Sequence, residues 1–235
     1  MPRLTCTLVL ALALVAGCAA DRPPEEFTDD GLARVPSRIE GGVYRLPDAS
    51  FNQYKRVILE PPSIGFVKDW RKNHKEIKSG DFERIRKEAL DLFREEFTRE
   101  FVESGSYTFA EDPAPDVILV IPAIEDLNII APDAGNGPGQ TSYTRVAVQM
   151  KITGDLRDAS TGKLIGRVIM YETGERGPFF GEPTMRIANR VTNAHEQRQA
   201  YAQWARLVRE AIDVAKAERP RPPKPAEQPA EDTPP

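Results

Sequence analysis

Reactive and metal-binding side chains are scarce in this 235-residue chain, which holds two cysteines and two histidines. Cys6 and Cys18 both lie close to the N-terminus. Everything after them is left without a disulfide, a zinc–thiolate site or a cysteine nucleophile. His74 and His195 are far apart, and neither is joined by further ligand spacing, so no metal site and no cofactor are expected. The G-x-S-x-G elbow and the H-E-x-x-H helix are both missing. Positive charge is not in excess: 32 Lys and Arg face 36 Asp and Glu, for a net charge of −4. A nucleic-acid partner therefore has no electrostatic basis. Long apolar runs are also lacking. The longest, Leu8 to Ala16, spans ~14 Å as a helix against a hydrocarbon core of ~30 Å, too short to cross a membrane alone. What remains is 40% hydrophobic and 8% aromatic residues, enough for one globular core with tails.

The short apolar run nevertheless carries information. Residues 1–17 read as a secretory signal: Arg3 in the n-region, Leu8 to Ala16 as the h-region, then small residues. Leu14-Val15-Ala16-Gly17-Cys18 resembles the lipobox of bacterial lipoproteins. The resemblance implies cleavage before Cys18, a diacylglyceryl group on its sulfur, and acylation of the new amine. Each buried methylene adds ~0.8 kcal/mol, so two or three acyl chains anchor firmly. No Asp follows Cys18 directly, which by the same resemblance favours the outer membrane, with the chain facing the periplasm.

Residues 18–48 are rich in Asp, Glu, Pro, Arg and Gly and read as a lipidated tether, with Phe27, Leu32, Val35, Ile39, Val43 and Tyr44 scattered through it so that part can dock on the domain. Residues 49–217 read as the folded domain. Its first strand is expected at Tyr54–Glu60, with a second, edge piece over Ile64–Trp70. A helix is expected from an N-cap at Asp81, with Ile85, Ala89, Phe93, Phe97 and Phe101 at three- and four-residue steps, ending at Gly105. Strands resume at Tyr107–Phe109, and the run Val117–Ile121, apolar on both faces, predicts a central strand, which Pro122 breaks or bulges and which can continue through Ile124 to Ile130. Residues 145–157 alternate strictly and predict a half-buried strand. Asp158-Ala-Ser-Thr-Gly162 then predicts a turn into a hairpin partner. Asn193 with Glu196 resembles a capping box for a last helix, whose apolar stripe includes Tyr201, Trp204, Val208 and Ile212. Residues 218–235 form a proline-rich tail without apolar periodicity. These elements predict an α+β two-layer sandwich: a mainly antiparallel sheet of about four to five strands, with two amphipathic helices on one face.

This order, with the lipobox, the strand at Tyr54–Glu60, the helix over 81–104, the hairpin turn at Asp158–Gly162 and Trp204-Ala205 with Leu207 in the closing helix, resembles the bacterial lipoproteins of the DUF3313 family. The likeness covers about residues 30–216 and implies no assigned activity.

Short motifs that suggest chemistry lie in the wrong context. Ser160-Thr-Gly-Lys163 fits S-x-x-K, but it falls in a hairpin turn instead of opening a helix. Gly135-Asn-Gly-Pro-Gly139 leads into a strand, whereas a phosphate cradle needs a helix N-terminus. Phe179 and Phe180, held between Gly-Pro and Gly-Glu-Pro, and Trp70 are the aromatic candidates for partner contact. The expected function is a non-enzymatic binding or assembly module of the cell envelope, held on the membrane by its lipid and engaging an envelope protein. Two other classes stay open: a periplasmic hydrolase whose site converges only in three dimensions, and a carrier of an apolar small molecule.

Overall fold

A computed structural model describes residues 27–37, 39–75, 77–130, 142–173 and 185–218. The first difference from the sequence reading comes at once. Part of the expected tether is sheet: β1 (Ala33–Val35) pairs antiparallel with β2 (Gly41–Arg45). β2 in turn pairs with β9 (Leu164–Glu172), more than a hundred residues later. Leu32 is fully buried beside this edge. Gly41 and Gly42 conceal the strand, because they interrupt its side-chain alternation. They sit at φ 112° and 146°, and a Cβ on Gly41 would fall 2.3 Å from the Ile169 carbonyl oxygen. The same lack of side chain that weakens the pattern permits the close pairing.

The next strands, β3 (Arg56–Leu59) and β4 (Ser63–Phe66), flank Pro61-Pro62 and both run parallel to β6 (Val117–Ile129). Between them and β6 lie a short helix α1 (Trp70–Asn73), the long helix α2 (Ser79–Thr98) with a π-helical turn over Arg99–Glu103, and the two-residue β5 (Thr108–Phe109). The chain continues through β7 (Ser142–Thr144), β8 (Val148–Asp158), β9, β10 (Arg186–Ala188) and helix α3 (Arg190–Ala217). One eight-stranded open sheet has the order β1-β2-β9-β8-β6-β3-β5, with β4 also on β6; β7 and β10 form a separate ribbon. Pairing is antiparallel from β1 to β6 and parallel beyond it. The fold is mixed α/β, with eight strands in the main sheet where about four to five were expected. The strands that the sequence pattern did not announce, β1, β2, β7 and β10, are three to five residues long and too short to show a period.

β6 explains why its own sequence reads ambiguously. Ile118, Val120, Pro122 and Ile124 face the core, and then Leu127 and Ile129 do. The change from even to odd positions occurs at a bulge between Glu125 and Asn128, where Asp126 has φ 51°. One extra residue resets the pleat, so a 13-residue strand stays buried on one side. Pro122 does not end it. Pro122 opposes Gly154 of β8, in the gap where β3 gives way to β4, so its missing N–H leaves no partner unmet.

Both helices bury their stripes. Ile85, Ala89, Leu92, Phe93 and Phe97 of α2, then Phe101, meet Tyr201, Trp204, Val208 and Ile212 of α3. Phe93 lies 5.5 Å from Trp204 between ring centroids, and Phe97 stacks on Phe101 at 4.1 Å. Both helix starts differ from expectation. α2 begins two residues before Asp81, with Lys78 at the cap position and no side-chain cap. Asp81 instead sits in the first turn, where its charge suits the helix dipole. α3 begins well before Asn193: Asn189 is its cap, accepting from the Thr192 N–H at 2.9 Å. Asn193 is buried one turn in.

The β8–β9 turn is tied by Asp158. Its Oδ1 accepts from Ser160 Oγ, Thr161 N and Thr161 Oγ1 at 2.7–2.8 Å, and its Oδ2 accepts from Tyr54 Oη at 2.8 Å. Burial alone would raise the carboxyl's pKa, but the bonds from Ser160, Tyr54 and Thr161 outweigh it and bring the group to about 2. The charged form therefore favours the folded chain at every pH above the ordinary value of 3.8, and this contribution fades as the pH falls toward 2. In chemical unfolding at stepped pH, Asp158→Asn should lose less stability than the parent between about pH 4 and pH 2. Parallel curves would assign the acid sensitivity elsewhere.

Candidate functional site

The two faces of the sheet differ in chemistry. On the face away from α3, cross-strand charges alternate. Asp155 accepts from Arg167 at 2.6 Å, Arg167 also reaches Asp30 at 2.8 Å, and Lys151 donates to Glu125 at 2.7 Å. This is a solvated ladder of the kind that alternating strands present to water. On the other face the inward residues of β8, β9 and β2 stand in register. Leu156 opposes Gly166, and Gly154 opposes Val168. Gly166 in turn opposes Arg45, and Val168 opposes Val43.

α3 crosses this inner face over β8. A Cβ on Gly154 would lie 2.3 Å from Trp204 Cζ2, so the indole rests directly on the strand. Toward its C-terminus α3 leaves the β1–β2 edge uncovered. A groove of about 340 Å³ opens there. Val35, Ile39, Val43, Phe51 and Leu156 line it on the sheet side; Leu207, Ala211 and Val214 line it on the helix side. Its walls are mainly apolar, and its size falls at the low end of ligand pockets, roughly 300–1,000 Å³. The polar exceptions are few. Arg45 reaches the groove from β2, with its side chain 14% accessible, and pairs with Glu218 at 2.5 Å just past the end of α3. Glu210 is on the exposed rim.

The first and last described residues lie beside this groove. Phe27 bridges to Ala33, which opposes Arg45, and Glu218 closes on the same arginine. The fold is therefore entered and left beside one apolar cleft.

A second cluster of charges lies between the helices. Glu96 and Glu100, one turn apart on α2 and its π turn, are buried. Glu100 accepts from Arg209 at 2.9 Å, and Arg209 also pairs with Asp213 at 3.1 Å. Glu96 pairs with Arg99 and lies 3.7 Å from Arg198. Tyr107 Oη donates to Asp213 at 2.7 Å, and Lys216 Nζ donates to Tyr107 Oη at 2.7 Å. Burial, followed by the Asp213 hydrogen bond, pushes the Tyr107 hydroxyl well above its usual range. Each carboxylate here has an arginine partner, as a helix–helix interface with buried acids requires. These residues lie outside the groove, and among the described residues no set of three metal-ligating side chains converges.

The sequence candidates fare differently. Trp70 is corrected: it is 2% exposed, donates its indole N–H to the Ile129 carbonyl at 3.1 Å, and packs on Phe66 at 4.8 Å. Its large apolar surface closes the end of the core between α1 and β6, so it offers no contact to a partner. Phe179, Phe180 and Cys18 lie outside the described residues. The segment bearing Phe179 and Phe180 leads into the β7–β10 ribbon, where Tyr143 and Ile187 are opposed and exposed. His74 stacks on Trp70 at 4.6 Å, and His195 is exposed. No described helix is long and apolar enough to cross a membrane.

Sequence reasoning missed the groove. Half of it comes from the segment read as tether, and its central arginine carries no motif. The scatter of Val35, Ile39, Val43 and Tyr44 among polar residues pointed to docking of this segment on the domain, but not to a cleft.

The chain matches no family model and no curated protein sequence. Solved structures that the chain matches at low similarity include three bacterial proteins. A PelC dodecamer from Paraburkholderia phytofirmans is 10% identical with a TM-score of 0.33, over 71% of this chain and 97% of that one. A homolog of the neuraminyllactose-binding hemagglutinin from Helicobacter pylori is 12% identical at 0.33, over 77% and 88%. A DUF330 protein from Xanthomonas campestris is 12% identical at 0.34, over 73% and 89%.

Proposed function

We propose that this chain is a non-enzymatic binding module of the bacterial envelope, of the DUF3313 kind, anchored through lipid on Cys18 to the periplasmic face of the outer membrane. In this reading its α+β layers, both amphipathic helices on one side, serve as a rigid frame for the β2–α3 groove. The observation that carries the reading is that groove: open, apolar on both walls, and crossed by a single half-buried cation. A hydrolytic site would call for convergent polar groups with shifted pKa values. Here the strongly shifted side chains are structural: Tyr54 and Asp158 bond each other at the β8–β9 turn, Tyr107 donates to Asp213 beside α3, and Tyr201 is buried in the core.

The position of Phe27 supports the anchoring half. The stretch between Cys18 and Phe27 spans at most about 30 Å when fully extended. It enters the fold at the rim of the groove, so an anchor at Cys18 would hold the groove within that distance of a bilayer. The module would then meet ligands that are themselves apolar and membrane-derived, or the apolar segment of an envelope partner.

Cell fractionation tests the placement. The parent chain should sediment with outer membranes and be released only by detergent. Cys18→Ser should keep its signal segment and be lost from the outer-membrane fraction. A Cys18→Ser chain that still floats with outer membranes at unchanged size would refute the anchor.

A further inference from the structure

We infer that the groove takes the anion of a single-chain fatty acid, with Arg45 receiving its carboxylate in place of Glu218. This rests on the reading of the groove as a binding site and adds the class of ligand.

The argument starts from Arg45. Its side chain is 14% accessible, inside a groove whose other walls are mainly apolar. A guanidinium in such a place needs an anion, because leaving a cation desolvated and unpaired is costly. Among the described residues its only anionic partner is Glu218, at 2.5 Å. That partner is the less secure half of the pair. Glu218 is 47% accessible and stands one residue past the last turn of α3, on extended backbone. An exposed carboxylate at a helix end moves into water at little cost, whereas Arg45 is fixed in a paired strand between β1 and β9. The site is thus already built for a carboxylate, and the one present is replaceable.

The remainder of the groove specifies what the carboxylate is attached to. Val43 and Leu156 on the sheet, and Leu207, Ala211 and Val214 on α3, offer no hydrogen bond from their side chains. They match a hydrocarbon chain, whose transfer from water is favourable in proportion to the area covered. About 340 Å³ suits one chain of modest length, not a two-chain phospholipid. Glu210 also stands on the rim, but it is exposed and water screens it.

The test is calorimetric titration of the chain produced from residue 18 onward with Cys18→Ser, using decanoate and decanol as probes. Decanoate should bind about tenfold more tightly than decanol, the preference expected of one charge-assisted contact. Arg45→Gln should abolish that preference while leaving decanol binding unchanged, which also shows that the variant is folded. Glu218→Gln removes the internal competitor and should tighten decanoate several-fold without affecting decanol. Equal binding of both probes, unaltered by Arg45→Gln, would overturn the headgroup assignment and leave the apolar groove standing. Failure of both probes to bind would overturn the ligand class and the groove together.

Discussion

Gly154→Ala should lower the stability of the domain by about 2–3 kcal/mol, the upper part of the usual range for overpacking a filled core. The added methyl would stand 2.3 Å from Cζ2 and 2.8 Å from Cη2 of Trp204. Neither side can yield easily. Gly154 is paired on both flanks, to Pro122 of β6 and Val168 of β9. Trp204 is fully buried and held by Phe93 at 5.5 Å and Phe97 at 6.2 Å. For a domain of this size, ~2 kcal/mol corresponds to a fall in Tm of about 4–8 °C. Differential scanning calorimetry reads this directly. A compensating Trp204→Leu should recover part of the loss in the double variant, because the two changes share one contact. An unchanged Tm for Gly154→Ala would mean that α3 does not rest on β8 in this way. The whole placement of the groove would then need revision, since it follows from where α3 crosses the sheet.

The second large effect is expected at Ala211. This residue faces the groove from α3 and is half-buried. A tryptophan there would occupy much of a space of about 340 Å³ without pushing into the packed core, because the groove is open. Ala211→Trp should therefore leave Tm within a degree or two, as surface changes usually do, and weaken binding of decanol and decanoate alike by at least about a hundredfold, roughly 2.7 kcal/mol. Matching stability with lost binding identifies a blocked site. Retained affinity would show that the probes bind elsewhere, for instance on the exposed Tyr143 and Ile187 of the β7–β10 ribbon. A large drop in Tm would instead show that the cleft is tighter than its lining suggests.

The parts of the fold that sequence made legible are those whose signals are local. The α2 stripe from Ile85 to Phe101 repeats at helical spacing, and each of its main positions is buried. The hairpin is legible for the same reason. Val148, Met150, Ile152 and Leu156 alternate, and Asp158 with Gly162 supplies a turn whose hydrogen bonds close within five residues. What stayed hidden depends on distant partners. β2 exists because β9 offers it an edge, and its two glycines erase the alternation that would betray it. β7 and β10 are three residues each and have meaning only beside one another. The parallel half of the sheet follows from the crossover through α2, which no strand pattern in Tyr54–Glu60 encodes. The bulge at Asp126 shifts the inward set by one, so any fixed period read through β6 must fail on one side of it.

Residue character alone left Trp70 between core packing and partner contact. Trp70 lies between a short strand and a charged stretch, a setting that suits a displayed aromatic. It is buried because Phe66 and Phe82 come together around it, at 4.8 Å and 6.2 Å, and because the Ile129 carbonyl can accept its N–H. A tryptophan is buried readily when its single donor is satisfied. That condition was set by β6, some sixty residues away, and not by its neighbours in sequence. The groove was out of reach on the same ground: residues 35–45 and 207–214 meet only after the sheet has formed.

The account turns on the cleft between β2 and α3 being where this module binds. Two-dimensional amide spectra of the isotope-labelled chain, recorded during a titration with decanol, test it most directly. The account predicts shifts confined to one contiguous set that includes Val35, Val43, Leu156, Leu207, Ala211 and Val214, saturating together with a single dissociation constant. Shifts scattered over the charged outer face of the sheet, or centred on the ribbon at Tyr143 and Ile187, would contradict it.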